Sequence, residues 1–134
     1  MAFQRILNGH EWALPAASAI NPNTPVQLAG TDVPFFLPCG TVNARPYGVN
    51  GVATAGASGL NQNEAVTAFE PGNIAKVISV ASIGVSTEVA VASSNGAVGA
   101  VSLIAASAHW ALGVTMSSAG AGEVLSILIQ PRKV

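Results

Sequence analysis

Short apolar runs, broken every few residues by Gly, Asn, Pro or Ser, dominate the chain from residue 33 onward. PFFLP (Pro34–Pro38) is an apolar run boxed by prolines, which predicts an edge strand or extended segment. Ala65–Phe69 and Ile74–Val80 predict two strands, joined by the turn Glu70-Pro71-Gly72-Asn73. Thr87–Ala92 alternates in polarity and ends in Ser93-Ser94-Asn95-Gly96. Asn-Gly is a strong hairpin signal, because both residues accept positive φ. Val98–Ile104, His109–Met116 and Glu123–Gln130 complete the strand series, with a Gly-rich turn at Ala119–Gly122. Ala is abundant. Even so, Gly, Val, Ile, Ser and Thr at short intervals argue against long helices.

The first thirty residues read differently. Pro15, Pro22 and Pro25 punctuate them, with Asn21, Asn23 and Thr24 between. The pattern predicts an irregular, extended N-terminal arm over 1–32 and a single β-domain over 33–134. The fold class expected is all-β: a small β-barrel or β-sandwich, jelly-roll-like, preceded by that arm.

One internal echo stands out. Tyr47-Gly48-Val49 leads through a Gly/Ala/Ser stretch to Glu64-Ala65-Val66-Thr67. Leu112-Gly113-Val114 leads through Ser117–Gly122 to Glu123-Val124-Leu125-Ser126. Either two similar hairpins arose by duplication, or common residues recur by chance.

Composition narrows the function. The 134 residues suit one compact unit. Half are hydrophobic but only 5% are aromatic, so small side chains carry the core. Each buries little area, at about 25 cal/mol per Å². Partner contacts are therefore expected to add stability. Charged residues make up 8%, against roughly 25% in an ordinary soluble domain. A net charge of -1 with scattered Lys and Arg argues against nucleic-acid binding. The start, MAFQRILNGHEW, has no continuous apolar stretch of the signal-peptide kind. Ile74 to Ala92 is broken by Lys76 and Glu88 and makes a poor membrane span.

Candidate chemistry is sparse. Asp32 is the single Asp, and His10 and His109 are the two His. A hydrolase triad or a zinc cluster would have to be built from distant residues. His109 reads as a surface or interface imidazole, and Cys39 as a small, buried or half-buried hydrophobe. Gly56-Ala57-Ser58-Gly59 and Gly120-Ala121-Gly122 lack the Lys and following helix of a phosphate loop. Glu64 and Glu123 each precede a strand and read as loop ends. The expectation is a protein with no catalytic residues, cofactor or metal, one that presents shape and backbone to partners.

The stretches GNIAKVISVASIGVSTEVAVASSNGAVG and HWALGVTMSSAGAGEVLSILIQP resemble the capsid decoration, or cement, proteins of tailed bacteriophages. Gly113-Val114-Thr115-Met116, Ala119–Gly122 and Glu123-Val124-Leu125 take the places of the family's closing unit. PYGVNGVATAGASGLNQNEAVTAFEPG is similar to its earlier hairpin. The resemblance spans about Pro46 to Pro131 and leaves the arm unexplained. It implies a virion protein, made in the host cytoplasm, on the outer capsid surface. There it would clamp the major capsid protein, commonly as a homotrimer, with no nucleic acid or membrane partner. A tail or fibre module and a small carbohydrate-binding β-domain are the alternatives. Trp12, Phe35, Phe36 and Trp110 are candidate anchors, because buried aromatics dominate interfaces. Core packing is the stronger reading for Phe35, Phe36 and Trp110, and stands level with it for Trp12. The interface set is Phe3, Trp12, Leu14 and Trp110.

Overall fold

A computed structural model describes residues 11–16, 20–30, 35–41, 43–51, 65–104 and 109–134. Among the described residues, ten strands form two antiparallel five-stranded sheets, as the all-β expectation required. The first sheet holds β1 (Glu11–Pro15), β2 (Thr24–Ala29), β3 (Phe35–Pro38), β4 (Gly48–Asn50) and β5 (Ala65–Phe69), in the order β1-β5-β4-β2-β3. The second holds β6 (Ile74–Ile78), β7 (Glu88–Val91), β8 (Val98–Ala100), β9 (Trp110–Thr115) and β10 (Val124–Lys133), in the order β6-β10-β9-β7-β8. The second order is the first with every strand advanced by five.

The match extends to single residues. Val49 pairs with Phe69 and Val114 with Leu128, so each Val faces the residue five places after the Glu of the echo. Val26 lies opposite Gly48, and Val89 opposite Gly113. A Cβ on Gly48 would lie 2.1 Å from the Phe69 carbonyl oxygen; on Gly113 it would lie 2.1 Å from that of Leu128. Only glycine permits this strand approach. Asn23 (φ 59°) and Ser86 (φ 60°) are the described non-glycine residues at positive φ. Their N–H groups donate to the carbonyls of Asn50 and Thr115. The side chains of those two residues reach back in the same way. Asn50 Nδ2 donates to the Asn21 carbonyl at 2.9 Å, and Thr115 Oγ1 to the Gly84 carbonyl at 2.6 Å. The sequence echo therefore corresponds to two equivalent hairpins inside two equivalent halves.

Each sheet curls around its own interior without becoming a closed barrel. Single parallel bridges, Ala16 to Phe36 and Ser79 to Val98, stitch the two edges of each sheet. The first interior holds Ala16, Ile20, Val26, Phe36 and Ala68, with Leu14 and Tyr47 against them. The second is larger and includes Val77, Val89, Leu112, Leu125, Ile127 and Ile129. Val49 joins that second core from the outer face of the first sheet, and Phe69 packs against it. This contact joins the halves into a sandwich-like pair.

Three local expectations need correction. Within 1–32, expected as an irregular arm, the described residues include β1, an edge strand of the first sheet paired with β5, and β2, which lies between β4 and β3. Pro15 ends β1 and Pro25 sits near the start of β2, where a missing N–H costs little. Expected as a strand, Val98–Ile104 extends only to Ala100 before a 3₁₀ turn at Val101–Leu103. In the Ser93–Gly96 turn only Gly96 takes positive φ, at 85°. It is a four-residue loop closed by Gly96 N–H to Ser93 O and Ala92 N–H to Ala97 O. Of the PFFLP run, Phe35–Pro38 form an edge strand, β3, and Pro34 lies outside the described residues.

Candidate functional site

The best-formed concavity among the described residues is a groove of about 600 Å³ where the two halves meet. Gln27 and Leu28 of β2, with Arg45, Pro46 and Tyr47, line one wall. Trp110, Pro131 and Pro71 line the other. Trp110 opens β9 and pairs in register with Lys133 of β10. The Arg45 guanidinium carbon lies 5.1 Å from the Trp110 ring centroid, and the Lys133 ammonium lies 6.0 Å from it. A cation this near an indole face is attracted by the ring's quadrupole.

Tyr47 links this rim to the first core. Its ring packs on Phe36 with centroids 5.7 Å apart and planes tilted by 36°. Its hydroxyl donates to Glu70 Oε1 at 3.0 Å. Burial, then that hydrogen bond and the Glu70 charge, push the phenol pKa up to about 12. The phenol therefore stays protonated and acts as a donor at neutral pH. Gln27 is tethered through Nε2 to the Pro38 carbonyl at 3.3 Å. The groove lining thus offers aromatic and proline surfaces and the Arg45 cation, with the Lys133 ammonium near the Trp110 ring and Glu70 engaged by Tyr47.

Other candidate residues fall elsewhere. Cys39 is fully buried, and burial pushes its thiol up to about 12, so it is not a thiolate near neutral pH. His109 is buried, contrary to the surface or interface placement expected from sequence. It begins the β9 approach, where its carbonyl accepts the Val134 N–H at 2.8 Å and ties down the C-terminal strand. Glu123 is exposed and accepts the Gly120 N–H at 2.6 Å, closing its loop. Among the described residues no group of three or more His, Cys, Asp or Glu could hold a metal. No described helix is long and apolar enough to cross a membrane.

Of the four expected interface residues, the structure places one in this groove, Trp110. Leu14 is half-buried and packs on the first core. Trp12 pairs with Ala68 in the ladder. Phe3, together with His10, Asp32 and Glu64, lies outside the described residues. Phe36 is fully buried, and Phe35 is half-buried beside it. Arg45, Tyr47 and Lys133 were not singled out from sequence. Their one signal is indirect: Tyr47 is the chain's single Tyr and stands at the head of the echo.

No family model matches the sequence, and no curated protein does either. The fold does match a solved structure. The crystal structure of the N base of the head fibre protein gp8.5 of bacteriophage phi29 superposes with a TM-score of 0.65. The match covers 90% of this chain and 93% of that one, at 13% identity. At that identity the likeness is one of fold.

Proposed function

We propose that this chain is a structural component of a phage virion, bound to the outer surface of the capsid, where it bridges major capsid subunits. The observation that carries the reading is the fold match to a head fibre base over nearly the whole of both chains. The groove supports it, being an aromatic and cationic contact surface without reactive groups. Modest contacts of this kind hold a shell when they are multivalent. A homotrimer would present the groove three times.

A second reading is favoured by the same neighbour, which is the base of a fibre: the chain serves as an anchoring module and lends the shell no strength. Purified protein mixed with capsids lacking it separates the two. Occupancy together with raised heat resistance supports the bridging role. Occupancy without added resistance supports the anchor. A chain that binds no capsid form sinks both.

A further inference from the structure

The groove between the halves is closed to one common mode of peptide binding. Its lining strands are β2, β9 and β10, and none of them is a sheet edge. β2 lies between β4 and β3, β9 between β10 and β7, and β10 between β6 and β9. Three lining residues, Pro46, Pro71 and Pro131, carry no backbone N–H. The Tyr47 N–H is committed to the Val26 carbonyl at 2.8 Å. A partner strand finds no edge to pair with here, so recognition falls to side chains. Two kinds are present. Tyr47, Leu28 and the prolines give apolar surface, with Leu28 44% exposed. At Trp110 the surface is cationic, through exposed Arg45 and Lys133. Among the described residues no carboxylate lines the groove, and Glu70 is engaged by the Tyr47 hydroxyl. Arg132, next to Lys133 in sequence, is committed to Glu88.

We infer that this groove takes an extended, proline-containing acidic peptide segment, its carboxylate at Arg45 and Lys133 and its proline rings against Tyr47, Leu28 and Pro71. The inference rests on the capsid reading only for the source of the segment, a subunit of the shell. Charge complementarity selects the acid. A carboxylate can take an Arg through paired, charge-assisted hydrogen bonds, and the lining holds no carboxylate to compete for Arg45. The closed backbone selects the proline. A polyproline-type segment has no internal hydrogen bonds and keeps its backbone in water, so it asks no N–H of the walls. Such segments dock in aromatic-lined grooves and lose little freedom on binding, because proline has already fixed their shape. A neutral sugar would use the same walls and leave both cations without a counter-charge.

A displayed library of random short peptides, selected on the full-length protein, tests this with no capsid present. The selected sequences should pair proline with Asp or Glu. A synthetic peptide of a selected sequence should lose at least about tenfold in affinity when its acid becomes the amide, as when a hydrogen bond to a charged group is removed. Each proline changed to Ala should cost it about two- to fivefold. Arg45→Glu reverses the charge at an exposed position and should remove the enrichment. Lys76→Glu makes the same change at an exposed position of β6, outside the groove, and should leave binding as it was. Both variants should keep the strand signal in circular dichroism. Selected peptides without acid or without proline, binding that survives Arg45→Glu, binding lost equally in Lys76→Glu, displacement by neutral oligosaccharides, or no enrichment at all would each overturn the inference. Any of those results leaves the capsid reading standing where the protein still occupies capsids. Peptide binding without capsid occupancy sinks that reading and keeps this one.

Discussion

The first and second halves solve one backbone problem with different side chains. Phe36 in the first interior corresponds to Val98 in the second, and Ala68 corresponds to Ile127. Where one half is large the other is small, so each interior is filled by its own set. What repeats is what the backbone demands: Gly48 and Gly113 at the close strand approach, Val26 and Val89 opposite them, and the positive φ of Asn23 and Ser86. Register and backbone geometry therefore constrain this fold more tightly than core identity does. That agrees with the tolerance of cores to volume-conserving change.

The comparison predicts its own largest breaks. Phe36→Ala removes the ring that fills the smaller interior, and about 3–5 kcal/mol should be lost. Ile127→Ala in the larger interior should cost about 2–5 kcal/mol. Denaturant unfolding measures both. Hydrogen exchange should show protection lost first in β2 and β3 for Phe36→Ala and first in β9 and β10 for Ile127→Ala. Identical exchange maps would mean that the halves do not open separately.

Glycine replacement tests the equivalence more directly. Gly48→Ala and Gly113→Ala each drive a Cβ against a partner carbonyl in the same place. Each should destabilise by about 1–3 kcal/mol or more, and by similar amounts. A large loss at one site and none at the other would break the proposed equivalence.

Next in size are the side-chain anchors of the two equivalent hairpins. Thr115→Val keeps shape but removes the donor to the Gly84 carbonyl and the acceptor for the Thr87 N–H. Losing these two part-buried hydrogen bonds should cost about 0.5–1.5 kcal/mol each in thermal or denaturant unfolding. Asn50→Leu should show a cost of the same order through the Asn21 carbonyl. A neutral result in either would show that the hydroxyl or amide is not what holds its loop.

Much of the second half was legible in the sequence, and less of the first. From Ala65 on, strands of alternating or apolar residues between Gly, Pro and Asn turns fall close to where their pattern puts them. β1 and β2 were hidden because their prolines read as breakers, and what keeps Pro25 in a strand is its register with Val49, a tertiary fact. The end of β8 was hidden because Val101–Leu103 looks like strand and turns as 3₁₀ instead. The echo pointed at the repeat through one Gly-Val pair and one Glu in each half. The remaining equivalences are carried by φ angles and backbone hydrogen bonds, which composition does not encode. The groove was legible only through Trp110. Arg45 and Lys133 meet that ring from residues 65 and 23 places away in the sequence, respectively.

Alkaline pH should separate the halves without any substitution. Cys39 and Tyr47 both lie in the first half, and both pKa values are raised to about 12, from 9.0 and 10.0. The folded state holds these protons more tightly than the unfolded chain. Below about pH 9 both states are protonated and the stability is whole. As pH rises toward 12 the unfolded chain ionises first, and stability is lost. Exchange protection should therefore fall first in β2 to β4, and Cys39→Ala should flatten the slope above pH 9. Loss beginning in β9 and β10 would contradict this order.

The smallest effect belongs to a charge pair in the second half that has no counterpart among the described residues of the first. Arg132 and Glu88 meet through two hydrogen bonds, Nε to Oε2 and Nη2 to Oε1, linking β10 to β7 across β9. The first-half position equivalent to Glu88 is Pro25, which cannot make such a link. The first sheet keeps its order without it, so the pair is not what sets the order in the second. Arg132 is 58% exposed and water screens the attraction. Glu88→Gln should therefore leave the unfolding midpoint within error, at low salt and at high salt alike. A clear, salt-dependent drop would show that the second half depends on this link in a way the first half has no means to share.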